Sequence, residues 1–256
     1  MSGTDHDKAQ DWGGPQPVFV LVGPQMGENI GAAARAMWNF GLEHMRLVAP
    51  RDGWPNPAAT AMASGAARVL DQVLVAERLS NALHDLNYVY ATTARSRDLT
   101  KPVVTPEFAM ADARRRIAEG QTVGVLFGPE RAGLENEDIA QANAIVSVPV
   151  NPGFASLNLA QCVLLTAYEW GRQGADQPDA TTELAGTPWA TGAEVDALME
   201  TLEARLDASH FFWPEDKAPS MKLTLRNMLS RMPLTQADIR TWHGIIKFLA
   251  DRHPKP

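Results

Sequence analysis

The sequence is poor in cysteine, and histidine occurs in none of the usual metal-binding spacings. Cys162 is the only cysteine among 256 residues, which excludes an internal disulfide and a cysteine-rich metal site. A single thiol also fits a reducing cytoplasm. We expect Cys162 to be buried and inert because it lies in the apolar run Cys-Val-Leu-Leu. The six histidines form no H-E-x-x-H or H-x-E pattern, so no metal is expected.

Long hydrophobic runs are missing as well. Residues 1–16 are polar and contain glycine and proline but no apolar core of a signal peptide, so we expect a disordered tail there. No run approaches the ~18 apolar residues that a membrane-spanning helix needs. These features predict a cytoplasmic protein that has no membrane partner.

The common phosphate-binding and hydrolase patterns are also absent. Residues 23–31 match neither G-x-x-x-x-G-K-[ST] nor G-x-G-x-x-G, which argues against binding of ATP or a dinucleotide. There is no G-x-S-x-G nucleophile elbow either. Hydrolase and metalloenzyme functions therefore lose most of their support.

Charge is distributed unevenly along the chain. The net charge of −7 argues weakly against a nucleic-acid partner. Residues 173–216, however, contain one basic and ten acidic residues, whereas residues 217–256 contain eight basic and two acidic ones. Because local patches govern phosphate binding, the basic tail is a candidate RNA contact; a solvated helical face is the equally weighted alternative.

Apolar runs alternate with helical patterns through the first two thirds of the chain. Strands are predicted at 17–22, 45–49, 88–91, 122–127 and 145–150, and helices at 29–40, 79–86, 106–119, 135–142 and 156–170. This alternation predicts an α/β fold, a mostly parallel sheet with helices on both faces, in a domain at 17–172. A linker at 173–190 then leads to a helical extension at 191–256, with helices at 194–208, 221–231 and 236–251.

Three stretches combine glycine or proline with polar side chains at or just after predicted strands: residues 29–35, 126–134 and 148–158. Strand-to-loop edges of α/β proteins usually carry the chemistry. Arg35 lies near a helix N-terminus, where a positive charge is unfavourable, and its neighbours are alanines. Gly128 and Gly133 would let backbone amides approach a ligand closely. Ser156 is a plausible N-cap of the following helix.

A fourth stretch, residues 91–97, ends a predicted strand with two arginines that flank a serine. Such a pair could hold a phosphate. A plain solvated loop is the alternative.

Together these stretches resemble the SPOUT class of RNA methyltransferases. The likeness rests on Asn-Ile-Gly-Ala-Ala-Ala-Arg, Ala-Thr-Thr-Ala-Arg, Leu-Phe-Gly-Pro-Glu-Arg-Ala-Gly-Leu and Ser-Leu-Asn-Leu-Ala-Gln, which occur in that order. The sequence is most similar to bacterial tRNA ribose 2′-O-methyltransferases that modify nucleotide 32 of the anticodon loop. The resemblance is strong over residues 17–170 and looser in the tail.

The resemblance implies a trefoil knot at the C-terminal end of the sheet, S-adenosylmethionine as cofactor, tRNA as partner, and a homodimer with a composite active site. The implied catalytic residues are Arg35, Ser156 and Asn29. The implied cofactor-binding residues are Thr92, Thr93, Ala94, Gly128, Pro129, Glu130, Gly133, Val148, Pro149, Ser156, Leu157 and Asn158. The candidate RNA-binding residues are Arg95, Arg97, Arg131, Lys222 and Arg226.

The chemistry restricts what Arg35 can do. A ribose hydroxyl is a weak nucleophile and must be positioned in line with the methyl donor. A guanidinium stays protonated in proteins, so we expect Arg35 to stabilise the developing alkoxide and hold a phosphate rather than to act as a base.

Three other functions compete with this interpretation. One is an enzyme of the same class that acts on rRNA or another tRNA position. Another is a non-catalytic RNA-binding protein with the same fold. The third is a nucleotide-binding α/β regulator that does not bind RNA.

Overall fold

A computed structural model describes residues 14–93, 99–174 and 182–251 of the chain. The chain divides into two compact units, Met1–Gln177 and Pro178–Pro256. Each unit is described separately below.

The first unit is built on a sheet of seven strands, all paired in parallel. The strands are β1 (Val18–Val22), β2 (Met45–Val48), β3 (Leu74–Ala76), β4 (Tyr88–Thr92), β5 (Val103–Val104), β6 (Val123–Phe127) and β7 (Ala144–Val146). Their order across the sheet is β3-β2-β1-β6-β4-β7-β5. Since parallel strands end at the same edge, the segments that follow β1, β6 and β7 all leave from one edge of the sheet. The predicted α/β class with a parallel sheet is confirmed.

Helices cover both faces of the sheet. They are α1 (Gly27–Asn39), α2 (Pro57–Ala63), α3 (Ala67–Asp71), α4 (Leu79–Leu83), α5 (Pro106–Ala118), α6 (Asn136–Ala140) and α7 (Leu159–Gly174). Strand β1 lies inside the sheet, between β2 and β6. It directs Phe19 and Leu21 into one hydrophobic cluster and Val20 into another on the opposite face. This two-sided burial explains why the run at 18–22 is continuously apolar.

Several predicted boundaries differ from the structure. Helices α2 and α3 and strands β3 and β5 were not predicted, because they are too short to show a clear period. The strand predicted at 145–150 ends at Val146 instead. The following residues form an irregular segment with one 3-10 turn at Pro152–Phe154.

Within residues 182–251, the second unit contains three α-helices, α8 (Gly192–Ala208), α9 (Ala218–Ser230) and α10 (Gln236–Asp251), close to the three predicted helical patterns. Helix α8 begins with a capping box in which the Thr191 and Glu194 side chains bond each other's backbone amides. The small hydrophobic core of the second unit contains Leu198, Leu234, Ile239 and Ile246.

Close packing between α1 and α2 explains the small residues of the first motif. Helix α1 buries three of its alanines, Ala33, Ala34 and Ala36. A Cβ at Gly31 would lie 2.2 Å from the carbonyl oxygen of Ala59, in α2. Since that atom belongs to the backbone, it cannot move away easily.

We therefore expect Gly31→Ala to destabilise the protein by roughly 1–3 kcal/mol, because the added methyl forces α1 and α2 apart. The measurement is the free energy of unfolding in urea. Gly244 in α10 is the matched control, since its Cβ would meet nothing within 4 Å. Gly244→Ala should stabilise by about 0.5–1 kcal/mol through helix propensity. Equal effects at both glycines would contradict the packing described here.

Candidate active site

Three loops leave the carboxyl edge of the sheet and meet there. Loop 1 (residues 23–26) follows β1, loop 2 (residues 128–135) follows β6, and loop 3 (residues 147–158) follows β7. Because β1 and β6 are neighbours in the sheet, loops 1 and 2 lie side by side. The three sequence motifs are thereby brought together.

The Glu130 carboxylate of loop 2 binds loop 1 and the start of α1. It accepts hydrogen bonds from the Gln25 amide at 2.8 Å, the Met26 amide at 3.2 Å and the Asn29 side chain at 2.9 Å. Helix α1 has no side-chain cap of its own at Met26. A carboxylate at a helix N-terminus satisfies free amides and complements the helix dipole. Glu130 therefore holds the two residues before α1 and the Asn29 side chain against loop 2, with its negative charge near the start of the helix.

Asn29 extends the same network to loop 3. The Asn158 Nδ2 atom donates to Asn29 Oδ1 at 3.1 Å. The Asn158 Oδ1 atom accepts from the amides of Ala160 and Gln161 at 2.9 and 3.3 Å. A continuous chain of polar contacts thus joins loop 2, α1 and loop 3 through Glu130, Asn29 and Asn158.

The cap of α7 corrects a prediction. Ser156 was expected to cap a helix that begins there, but α7 begins at Leu159 and Asn158 caps it. Both residue types are good caps. Ser156 instead lies on the irregular segment that borders a pocket.

Loop 2 is folded tightly back on itself. A Cβ at Gly128 would lie 2.2 Å from the Leu134 amide nitrogen. Gly133 has a φ of +67°, and its amide donates to the Pro129 carbonyl at 2.9 Å. Only glycine fits the first position, and the second favours it strongly. The two glycines therefore allow the tight fold of loop 2, and both line the pocket described next.

A pocket of about 200 Å³ lies between loop 2, loop 3 and the end of β4. The pocket is lined by nine of the predicted cofactor-binding residues: Thr92, Thr93, Gly128, Pro129, Glu130, Gly133, Val148, Ser156 and Leu157. Pro149 and Asn158 are not among its lining residues, and Ala94 lies outside the described residues. Eight further residues line the pocket and were not predicted to do so: Phe127, Arg131, Ala132, Val146, Val150, Ala155, Leu159 and Cys162. Most of these adjoin predicted residues, so proximity in sequence was the available signal.

Thr92 and Cys162 lie together in the lining. The Thr92 hydroxyl donates to the Leu126 carbonyl at 2.8 Å, and the residue is 8% exposed. Burial raises the pKa of the Cys162 thiol to about 11, opposed by a smaller effect of its hydrogen bond with Thr92. The thiol is therefore protonated at neutral pH, although Cys162 is half-buried and not fully buried as the sequence predicts.

Arg35 lies on the exposed side of α1, and Arg131 is exposed on loop 2. Neither side chain forms a hydrogen bond or ion pair with any residue in the described ranges. Arg95 and Arg97 lie outside those ranges. Arg131 is thus an available cation at the carboxyl edge of the sheet. Because α1 begins at Gly27, Arg35 lies in its third turn, farther from that edge than the helix predicted to begin at residue 29 would place it.

The candidate RNA-binding residues of the second unit are partly neutralised. Lys222 Nζ lies 2.7 Å from Asp207 Oδ2 and 5.0 Å from the centre of the Phe212 ring. Arg226 lies 3.8 Å from a carboxylate oxygen of Glu203. Each pair has one exposed and one partly exposed side chain, so exchange of partners costs little.

Within residues 14–93, 99–174 and 182–251, no group of three or more His, Cys, Asp and Glu side chains could hold a metal ion. No helix in these ranges has the length and apolarity that crossing a bilayer requires.

Known proteins are similar to this chain in sequence and in fold. Residues 16–168 match the SpoU rRNA Methylase family. The tRNA (cytidine/uridine/adenosine-2'-O-)-methyltransferase TrmJ of Pseudomonas aeruginosa is 32% identical over 235 residues, which cover 89% of this chain and 91% of that protein. The tRNA (cytidine/uridine-2'-O-)-methyltransferase TrmJ of Pectobacterium atrosepticum is 32% identical over 241 residues, which cover 92% and 97%.

A solved structure is similar as well. The crystal structure of TrmJ from Z. mobilis is 48% identical, with a TM-score of 0.81 over 92% of this chain and 99% of that one. The fold, the three-loop site and these relatives define an RNA methyltransferase. The chain belongs to the SpoU rRNA Methylase family, which confirms the resemblance found in its sequence.

The pKa of Cys162 predicts its reactivity. At pH 8 a thiol of pKa about 11 is about 0.1% ionised, against roughly a quarter for an ordinary cysteine. Alkylation of the folded protein by iodoacetamide should therefore be about 200-fold slower than that of free cysteine, and should accelerate about tenfold per pH unit up to about pH 10. The same thiol in urea provides the control. Complete labelling of the folded protein at the free-cysteine rate would contradict this assignment.

Proposed function

We propose that this protein is an S-adenosylmethionine-dependent tRNA ribose 2′-O-methyltransferase that acts in the cytoplasm on nucleotide 32 of the anticodon loop, at cytidine or uridine. The observation that carries the proposal is the hydrogen-bonded chain from Glu130 through Asn29 to Asn158 at the edge of the pocket. These hydrogen bonds join the three motifs in one site. Asn29, the middle residue, lies on α1, the helix that also carries Arg35. The names of the two TrmJ relatives support tRNA and the ribose hydroxyl as targets.

The pocket fits the proposed cofactor. Val146, Leu157 and Leu159 provide apolar surface for an adenine ring, and the tight backbone of loop 2 provides donors and acceptors. Glu130 brings a carboxylate to the same lining, which suits a positively charged sulfonium compound. When bound, S-adenosylmethionine would supply an electrophilic methyl group. Thr92, Gly128, Ser156 and their neighbours would hold and orient it.

The remaining task of the protein is to make a ribose hydroxyl nucleophilic. Negative charge develops on the 2′ oxygen as its new bond to carbon forms. A guanidinium in a partly desolvated site stabilises such charge strongly. We assign this role to Arg35, and we assign positioning of the nearby backbone and ribose to Asn29 and Ser156.

The direction of Arg35 supports the composite site of a homodimer. Six residues separate it from Asn29, a rotation of about 240° around the helix. Asn29 faces Glu130 and loop 3, whereas Arg35 is exposed. Arg35 would therefore reach the pocket of a second copy more readily than its own.

Apolar side chains beside α1 support the same assembly. Leu164, Leu165 and Tyr168 on α7 are 40%, 38% and 46% exposed. Helix α7 packs directly against α1. Burial of these side chains against a second copy would remove apolar surface from water on the helix that packs against α1.

A trefoil knot is part of the proposal. The pocket is lined by the segments after β6 and β7 and by the first turns of α7. A knot would form if the segment after β7 passes through the loop after β6 before α7 begins. The membership in the SpoU family supports this threading.

The RNA would contact arginines around the pocket and the basic tail. We propose Arg131, Arg95 and Arg97 as phosphate contacts near the target ribose. Lys222 and Arg226 would bind more distant phosphates by exchanging their carboxylate partners.

Arg35→Ala tests the chemical role of the guanidinium. We expect kcat for tRNA methylation to fall about 10²–10³-fold, because the developing alkoxide loses its stabilising charge. The affinity for S-adenosylmethionine, measured by calorimetry, should change less than twofold. Loss of cofactor binding together with activity would contradict the assignment.

Arg35→Lys separates electrostatic stabilisation from proton abstraction. A lysine keeps the charge but not the fork of donors, so we expect only partial recovery of the rate and no new ionisation in the pH–rate profile. Recovery to nearly the original rate, with a new pKa close to that of lysine, would instead establish a base at this position.

Mass-spectrometric mapping of ribose methylation, with and without the gene, tests the substrate. The proposal predicts that 2′-O-methylation disappears at nucleotide 32 of specific tRNAs. Loss at another tRNA position or in rRNA would contradict the assigned target but retain the chemistry. Unchanged methylation, with no cofactor binding in calorimetry, would favour a non-catalytic RNA-binding protein.

A further inference from the structure

A further arginine lies at the same edge of the sheet, on the other side of loop 1. Arg51 belongs to the segment that follows β2, and β2 is the neighbour of β1. The carboxyl ends of β2, β1 and β6 therefore carry Arg51, loop 1 and Glu130 in that spatial order. No sequence motif identified Arg51.

The backbone of Arg51 is attached to loop 1. Its amide donates to the Pro24 carbonyl at 3.1 Å. The next residue of loop 1, Gln25, donates its amide to Glu130 at 2.8 Å. Loop 1 is thus held by Glu130 on one side and by the Arg51 backbone on the other.

The segment around Arg51 has a defined conformation. Ala49 adopts a φ of +44°, which is uncommon for a residue with a side chain, and its amide donates to the Ala76 carbonyl at 2.9 Å. Gly53 has a φ of +78° and donates to the Pro50 carbonyl at 3.1 Å. The Asn56 side chain then caps α2. These constraints present Arg51 at a fixed place.

The side chain of Arg51 makes no contact that the fold requires. Its Nε and Nη2 atoms bind the two carboxylate oxygens of the adjacent Asp52 at 2.9 and 3.2 Å. The two side chains are 58% and 47% exposed. Contact with loop 1 comes from the backbone amide, which almost any residue would supply. An exposed pair of sequence neighbours contributes little to stability and exchanges readily.

A fork of guanidinium donors that grips a carboxylate also fits a phosphate. The hydrogen bond with Asp52 is the main effect that raises the pKa of the Arg51 guanidinium. The negative charge of Glu130 also raises this pKa, to a smaller extent. The Glu130 carboxylate is therefore close enough to act on this guanidinium. Arg51 lies within the electrostatic reach of the residue that organises the site.

We propose that Arg51 is a positioning residue that binds a phosphate of the RNA substrate next to the target ribose, by exchanging Asp52 for that phosphate. This inference rests on the proposed function, since it takes RNA as the substrate. It places one RNA contact on the β2 side of loop 1, opposite the cofactor pocket. The RNA backbone would then cross loop 1 to bring the ribose to the methyl donor.

The test compares tRNA binding and methylation by Arg51→Ala, Arg51→Lys and Asp52→Asn across a range of salt concentrations. Arg115→Ala is the matched control, because Arg115 is also exposed and paired with carboxylates, at 2.6 and 2.7 Å. It lies in the last turn of α5, just before β6, and therefore at the opposite edge of the sheet. Thermal melting and calorimetry with S-adenosylmethionine verify that each variant is folded.

Arg51→Ala should reduce the slope of log affinity against log salt by about one phosphate contact. At 0.15 M salt this corresponds to roughly four- to sixfold weaker tRNA binding and a similar rise in KM, with a much smaller change in kcat. Arg51→Lys should restore the slope, and Asp52→Asn should bind tRNA at least as tightly as the original protein. Arg115→Ala should leave the slope unchanged.

The outcomes separate this inference from the function on which it rests. If the original protein methylates tRNA but Arg51→Ala has the same salt slope and KM as Arg115→Ala, the role of Arg51 is wrong and the function stands. A slope that falls with Arg51→Ala and is not restored by Arg51→Lys also contradicts a simple phosphate contact. If the original protein does not bind tRNA, both proposals fail.

Discussion

The Glu130 carboxylate is the contact on which the site depends. It accepts two backbone amides from the turn before α1 and one side-chain donor from Asn29, across about a hundred residues of sequence. The two backbone donors precede the first residue of α1, and the third is a side-chain amide in its first turn. A single charged group therefore attaches the start of α1 to loop 2 and fixes the position of loop 1 relative to loop 2. Asn29 connects this contact to Asn158, which caps α7.

Order at these loops matters because methyl transfer requires alignment rather than strong acid or base groups. Displacement of a nucleophile by about 1 Å can cost two orders of magnitude in rate. The tight turn from Gly128 to Gly133 forms one wall of the pocket, and the segment with Ser156 and Leu157 forms another. In the proposed mechanism, Arg35 completes the site from the exposed side of α1, where a second copy can approach. The same network would then hold the proposed cofactor pocket and orient the helix that carries the proposed catalytic charge.

Much of this arrangement was predictable from the sequence, and the missing parts have physical reasons. The continuous apolar run at β1 and the regular period of α5 identified the parallel sheet and its helices, because burial dictates both patterns. The adjacency of β1 and β6 follows from strand order, which no local pattern encodes, so the contacts of Glu130 with Gln25 and Met26 could not be foreseen. The choice of Asn158 over Ser156 as the cap of α7 depends on where loop 3 ends. Arg51 had no signal in sequence, since its proximity to Glu130 arises from the pairing of β2 with β1.

A double-mutant cycle between Glu130→Gln and Asn158→Ala, read as kcat/KM for tRNA methylation, tests the central claim most directly. The two residues are connected through Asn29, so the cycle reports on the network as a whole. We expect the two losses to be strongly non-additive, with a coupling of about 1 kcal/mol or more that disappears when Asn29 is replaced by alanine. Fully additive losses, or a coupling that persists without Asn29, would contradict the claim that this hydrogen-bonded chain unites the three loops into one site.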